Sequence, residues 1–111
     1  MTHAIKRLSF AFVLLMPIAA IADSPQQIWD DQCAKCHGSS GDGKTKIGIK
    51  LQIKDYTDPK VQAAFSDAGL LKDLLLGVDA DTSVNRMPAY KDKLTMAEAK
   101  EQVALIRSFK K

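Results

Sequence analysis

The chain has 111 residues, enough for one domain, and carries 16 lysine and arginine residues against 13 acidic residues, a formal net charge of +3. Two of the basic residues lie in residues 1–22, which contain no acidic residue, so residues 23–111 carry 14 basic and 13 acidic residues. A protein that binds nucleic acid needs a basic surplus to neutralise phosphates. The composition therefore argues against a nucleic-acid partner.

Residues 1–22 have the features of an export signal. The basic pair Lys6-Arg7 precedes a largely apolar run over residues 8–21. Residues 20–22, Ala-Ile-Ala, have the small-x-small pattern of a signal-peptide cleavage site. The run is shorter than the roughly 20 residues that a membrane-spanning helix needs. We therefore expect residues 1–22 to be a cleaved signal peptide. Residues 23–111 would then form a periplasmic domain without a stable membrane span, and an uncleaved anchor is the alternative.

Capping signals divide residues 23–111 into short helices joined by long loops. A serine-proline pair at positions 24–25 and an aspartate-proline pair at positions 58–59 each place a capping residue before a proline. Proline is favoured at the first helical position, because its missing N–H would have no partner there. These pairs predict helices over residues 25–35 and 59–67.

Two further helices are predicted from apolar spacing. Clustered leucines ahead of Gly77 form one helical face that the glycine ends. Residues 95–98 (Thr-Met-Ala-Glu) form a capping box, and the apolar residues behind it follow one helical stripe. We expect residues 38–58 to form an ordered loop, in which residues 47–53 show only a weak strand-like alternation. Residues 78–93 show no helical pattern. The prediction is an all-α fold whose long loops need something to fill the centre.

The sequence Cys-Ala-Lys-Cys-His at positions 33–37 is the attachment pattern of c-type haem. Thiols three residues apart share one side of a helical turn, where they can reach the two vinyl groups of one porphyrin edge. His37 then offers an imidazole nitrogen to the iron. The predicted cofactor is one haem c, bound covalently through Cys33 and Cys36.

Three other uses of these residues compete with haem attachment. A structural zinc site needs four donors, whereas residues 23–111 contain two cysteines and one histidine. A thioredoxin-type redox pair normally lies beside a strand–helix–strand pattern, which is missing. A disulfide between Cys33 and Cys36 is compatible with an oxidising compartment, but it leaves His37 without a role.

The second axial ligand of the iron is predicted by elimination. Residues 23–111 contain no second histidine and two methionines, Met87 and Met96. Met96 stands in the first turn of the predicted C-terminal helix, where a packing or surface role is expected. Met87 lies in an irregular stretch and precedes Pro88, which restricts its backbone. Met87 is the predicted ligand, and a lysine or an open site is the alternative.

With these motifs the chain resembles the small soluble class I monohaem cytochromes c over residues 23–111. The resemblance is carried by Trp29, by His37-Gly38 and Gly41-Asp42-Gly43, by Arg86-Met87-Pro88-Ala89-Tyr90 and by Ile106-Arg107-Ser108-Phe109. It implies a cytochrome c fold, in which short helices and long loops wrap around one covalently bound haem and the first and last helices cross. Trp29 against Val103, Ile106 or Phe109 would be the corresponding contact.

The chain departs from this family after the haem histidine. Many members have a proline there whose carbonyl accepts the imidazole N–H, and no proline lies between His37 and Asp58. Another carbonyl, near residues 47–49, would then have to orient the ring. Tyr56, Arg86 and the lysines of the loop are candidates for contacts with the haem propionates, with a solvated surface role as the alternative.

Axial ligation by both His37 and Met87 would close the iron to substrate, peroxide and dioxygen. A one-electron change is the chemistry that remains, and the soft thioether favours Fe(II) and raises the potential. The predicted function is a periplasmic electron carrier and not an enzyme, a monomer that binds redox proteins transiently. The alternatives are a dedicated electron-transfer subunit of a larger oxidoreductase and a haem-based NO or CO sensor in which Met87 is displaced.

Overall fold

The computed structural model describes residues 4, 7–17, 22–78 and 87–111 of the chain. These residues form helices and no β-strand, so the predicted all-α class is confirmed for them. In chain order the helices are α1 (Pro25–Gln32), α2 (Ala34–His37), α3 (Lys46–Lys50), α4 (Pro59–Ala64), α5 (Asp67–Leu76) and α6 (Met96–Ser108). No helix within the described ranges has the length and apolar character needed to cross a membrane.

The predicted signal peptide is described only in part. Residues 7–17 form no helix, and their side chains are exposed. Positions 18–21, which include most of the predicted cleavage pattern, lie outside the described residues, as do Lys6 and Arg86.

The first predicted helix is divided in two at the haem motif. The hydroxyl of Ser24 caps α1 and accepts the Gln27 N–H at 3.2 Å, as its position before a proline predicts. The expected helix over residues 25–35 is interrupted at Cys33, whose φ of −122° lies well away from helical values. The N–H of Cys33 still donates to the Trp29 carbonyl, so α2 follows α1 directly.

Residues 38–58 contain a short helix, α3, that the sequence does not predict. The hydroxyl of Thr45 accepts the Gly48 N–H at 2.8 Å and caps this helix. Gly48 is buried, and a Cβ atom there would lie 2.6 Å from the Cys36 carbonyl oxygen. The loop predicted over residues 38–58 therefore contains one helix that the prediction lacked, because five helical residues are too few to show a helical period.

The predicted helix over residues 59–67 is also corrected, because α4 ends at Ala64. Phe65 is extended, with φ −106° and ψ 137°. The Ser66 hydroxyl then caps α5 by accepting the Gly69 N–H at 3.0 Å. Ser66, ahead of the clustered leucines, is a capping residue that signals the start of a new helix, and the predicted helix over residues 59–67 ran past it.

The first and last helices pack against each other, as the resemblance implied. The rings of Trp29 and Phe109 are tilted with their centroids 5.0 Å apart. Trp29 also shares a buried cluster with Val103 and Ile106. The Gln102 side chain, fully buried on α6, donates to the Pro25 carbonyl at 2.9 Å. The capping box of α6 at residues 95–98 and the end of α5 at Gly77 are both confirmed.

Candidate haem site

The α1–α2 corner places the two thiols and the imidazole of the motif on one cavity. The N–H of His37 donates to the Cys33 carbonyl at 2.9 Å, which keeps residues 33–37 in a helical turn. Cys33 is buried, Cys36 is half-buried, and both are free thiols. Their spacing therefore brings them to the same wall, as three-residue spacing in a helical turn predicts.

Met87 lines the same cavity, although it lies 50 residues after His37 in the sequence. Its N–H and carbonyl both pair with Val78, at 3.1 and 3.0 Å, in an isolated antiparallel bridge. Its half-buried side chain packs against a cluster that includes Leu74 and Tyr90. The segment that carries Met87 is therefore tied to the chain at the end of α5.

The cavity has a volume of about 250 Å³, and its wall includes all four predicted site residues. Most of the remaining wall is apolar, with Leu51, Ile53, Phe65 and Val78 among its side chains. A second cavity of about 20 Å³ shares Cys33, His37, Tyr56, Asp73 and Met87 with the first. Two free thiols, one imidazole and one thioether around an apolar cavity are a donor set that fits a covalently attached haem with nitrogen and sulfur axial ligands.

The His37 ring lies between two aromatic side chains. It is stacked on Tyr56, with centroids 5.6 Å apart and planes 12° from parallel, and it is tilted against Trp29 at 5.5 Å. Its Nδ1 atom is buried and has no hydrogen-bond partner among the described residues. The carbonyl expected near residues 47–49 therefore does not accept this N–H, and packing orients the ring.

Burial lowers the pKa of His37 below its ordinary value, because the charged imidazolium loses its hydration. The neutral imidazole, which is the form that binds a metal, is thus favoured at neutral pH. Burial and the neighbouring Cys36 raise the pKa of the Cys33 thiol to about 11, so Cys33 is a thiol and not a thiolate at neutral pH.

Three hydrogen bonds fix the turn that follows the histidine. The Gly43 N–H donates to the His37 carbonyl at 2.8 Å, and the Trp29 indole donates to the Gly38 carbonyl at 2.9 Å. The Thr45 hydroxyl donates to the Cys36 carbonyl at 2.7 Å. These contacts explain why an ordered turn forms here without a proline.

The other candidates from the sequence divide into two groups. Tyr56 and Lys54 line the cavity and remain candidates for the propionate contacts, whereas Lys44, Lys46 and Lys50 are not among its lining residues. Met96 is 53% exposed in the first turn of α6, so of the packing and surface roles expected for it the structure shows the surface role.

Asp73 is the wall residue that the sequence did not single out. It lies on α5 between the buried Leu70 and Leu74, and it lines both cavities. Burial raises the pKa of Tyr56, and the negative charge of Asp73 raises it further, so the two side chains are close enough to interact. The sequence signal that could have indicated this position is spacing. Asp73 follows Leu70 by three residues and precedes Gly77 by four, so the three positions share one face of a helix.

Comparison with known proteins identifies the family of the chain. A family model described as cytochrome c oxidase, cbb3-type, subunit III matches residues 20–106. The solved KustC0563 c-type cytochrome is 31% identical, covers 80% of this chain and 100% of its own, and has a TM-score of 0.68. A tyrosine-to-phenylalanine mutant of Kustc0563 is 30% identical, covers 78% and 98%, and has a TM-score of 0.61. No protein with a curated description matches the chain.

These matches span most of the chain, and the matching structure has the same helical fold. The wall of the cavity includes residues on which the sequence resemblance was based, among them His37 and Met87. The chain belongs to the family of cytochrome c oxidase, cbb3-type, subunit III, and it is a small cytochrome c that serves haem-based electron transfer.

Proposed function

We propose that the protein is an exported one-electron carrier with a single haem c, bound through Cys33 and Cys36 and ligated by His37 and Met87. The observation that carries this proposal is the cavity that these four residues line together. Residues 1–22 are the signal peptide in this proposal, and residues 23–111 are the periplasmic monohaem domain.

The bound haem would supply a one-electron change between Fe(III) and Fe(II). The chain holds both candidate ligands with its backbone and with packing: His37 in the turn after Cys36, and Met87 in the bridge to Val78. Both ligands would stay in place in either oxidation state, which keeps the reorganisation small.

The wall of the cavity favours a high reduction potential. A thioether donor stabilises Fe(II), and apolar side chains such as Leu51 and Phe65 exclude water that would stabilise the extra ferric charge. The charge of Asp73 acts in the opposite direction and moderates this effect.

The partners that fit this role are redox proteins that bind the carrier transiently. The near balance of basic and acidic residues in residues 23–111 gives no strong single-signed charge to select one partner. A weak interface at the small end of the usual size range allows rapid turnover between a donor and an acceptor.

A dedicated subunit of a larger oxidoreductase is the second candidate. The family description, subunit III of a cbb3-type oxidase, favours it. Native mass measurement after gentle extraction from the source cells separates the two. A free carrier gives the mass of one holoprotein, whereas a subunit gives the larger mass of the enzyme complex that contains it.

The assignment of Met87 as a ligand is tested by Met87→Ala, with Met96→Ala as the matched control. Met87→Ala is expected to retain covalent haem, to lose the ferric absorption band that reports an iron–thioether bond, to lower the reduction potential and to bind carbon monoxide when reduced. Met96→Ala removes an exposed thioether and should leave all of these unchanged. An unaltered spectrum and potential in Met87→Ala would remove Met87 from the proposed ligand set.

A further inference from the structure

The end of α5 holds the segment that carries Met87 through its backbone. We call residues 87–91 the methionine segment. Besides the two hydrogen bonds between Met87 and Val78, the Tyr90 N–H donates to the Leu74 carbonyl at 3.0 Å, and the Lys91 N–H donates to the Leu75 carbonyl at 3.1 Å. Carbonyls at a helix C-terminus have no partner within the helix, so the segment satisfies groups that would otherwise need water.

Gly77 stands at the point where α5 and the methionine segment come closest. A Cβ atom on Gly77 would lie 2.6 Å from the Met87 carbonyl oxygen, 2.9 Å from the Ala89 nitrogen and 3.1 Å from the Pro88 carbonyl carbon. All three are backbone atoms, so no flexible side chain can move aside. Gly77 also has φ 74° and ψ 177°, a conformation that only glycine adopts readily.

We propose that Gly77 is a positioning residue for the axial methionine. It allows the methionine segment to pack on the end of α5, which sets the depth at which the Met87 thioether enters the cavity. Any side chain at position 77 would displace the backbone of residues 87–89 and with it the sulfur. This inference rests on the proposed ligation by Met87.

The test compares Gly77→Ala with Gly69→Ala in the loaded protein. Gly69 lies in the same helix, has no positive φ, and has only the Ser66 hydroxyl near its hypothetical Cβ, at 3.0 Å. We expect Gly77→Ala to keep its covalent haem but to weaken the iron–thioether band, lower the potential and bind carbon monoxide in the reduced state. Gly69→Ala should retain the wild-type spectrum, potential and indifference to carbon monoxide.

A result in which Gly77→Ala is less stable but keeps the wild-type band and potential would overturn the inference, because it would show a purely structural glycine. The Met87→Ala variant separates this failure from failure of the proposed function. If Met87→Ala changes the band and potential while Gly77→Ala does not, the ligand stands and the positioning role falls. If neither changes them, Met87 is not the ligand.

A second measurement needs no variant at position 77. In the wild-type holoprotein the amides of Met87, Tyr90 and Lys91 should exchange with solvent on the order of 100-fold more slowly than unprotected amides. They donate to the carbonyls of Val78, Leu74 and Leu75, respectively. Exchange of these amides at the unprotected rate would overturn the inference, because the methionine segment would then not be held against α5.

Discussion

The orientation of the His37 ring depends on aromatic packing. Tyr56 stacks on one side of the ring, and Trp29 is tilted against it. Offset and tilted arrangements of this kind are worth about 0.5–1.5 kcal/mol per pair beyond the area that they bury. The family resemblance suggested a carbonyl partner for the imidazole N–H, and the described residues offer none. Sequence patterns do not reveal such packing, because Tyr56 lies 19 positions from His37 in a loop.

The carboxylate of Asp73 is the charge that we expect to influence the reduction potential most directly. It lines both cavities, and its negative charge is felt by Tyr56. A negative charge on the wall of a cavity that holds a haem would stabilise Fe(III) over Fe(II), and the effect would be large where apolar side chains exclude water. Asp73→Asn should therefore raise the reduction potential, measured by redox titration of the holoprotein.

The matched control for this change is Glu101→Gln. Glu101 is exposed on α6 and is not among the residues that line either cavity, yet its substitution removes the same formal charge. Its potential should stay within the experimental scatter of the wild type. Equal shifts in Asp73→Asn and Glu101→Gln would show that net charge alone is responsible, which contradicts a local role for Asp73.

At the scale of elements, the starts and ends of helices that follow local rules were predictable. Ser24, Asp58 and Thr95 cap helices as their sequence context predicts, and Gly77 ends α5. The break at Cys33 was not predictable, because the sequence has no glycine or proline there to mark it. The short helix α3 depends on a buried glycine beside the Cys36 carbonyl, which is a tertiary contact without a sequence period.

Arg107 joins three helices at one corner. Its guanidinium donates to the Gln62 carbonyl at 2.6 Å, to the Gln62 side-chain oxygen at 2.9 Å, to the Phe65 carbonyl at 2.6 Å and to the Asp67 carboxylate at 2.7 Å. The amide of Gln62 in turn donates to the Ile106 carbonyl at 2.8 Å. The end of α4 and the start of α5 are therefore held to α6 by one side chain and its buried neighbour.

Removal of this side chain is expected to weaken the fold without altering the haem. Arg107→Ala leaves the Phe65 carbonyl without a donor, and the Gln62 carbonyl keeps only the Phe65 N–H at 3.4 Å. We expect the free energy of unfolding to fall by about 2–3 kcal/mol. Denaturant unfolding of the holoprotein measures this, and the reduction potential should stay unchanged. Asp67→Asn breaks only an exposed ion pair and should cost less than about 1 kcal/mol. A loss in Asp67→Asn as large as in Arg107→Ala would show that the ion pair, and not the carbonyl contacts, supports the corner.

At the scale of the whole molecule, the cavity is the centre that the long loops predicted. Its wall is mostly apolar, with Leu51, Ile53 and Phe65 among its side chains. Apolar side chains that face a cavity gain the free energy of burial only when another group covers them. The total stability of a small domain is only about 5–15 kcal/mol, so an uncovered apolar wall at its centre matters. The chain should therefore depend on its cofactor for a stable fold.

The double variant Cys33→Ala with Cys36→Ala tests this dependence. It removes both attachment points, so we expect haem to be lost on denaturing gel filtration and the thermal unfolding transition to become lower and broader. Circular dichroism measures the transition. The single variant Cys36→Ala keeps one thiol and should retain haem through one bond. A double variant that unfolds with the cooperativity and midpoint of the wild type would contradict a structural role for the cofactor.

The central claim is a haem closed on both sides by His37 and Met87, in the cavity that the two cysteines share with them. The most direct measurement is the visible spectrum of the protein after periplasmic haem maturation, recorded oxidised, reduced, and reduced with carbon monoxide. The account predicts sharp low-spin bands in the reduced protein that carbon monoxide does not shift. A shift with carbon monoxide would mean an open or labile ligand position, as in a sensor, and a spectrum without haem bands would contradict the account as a whole.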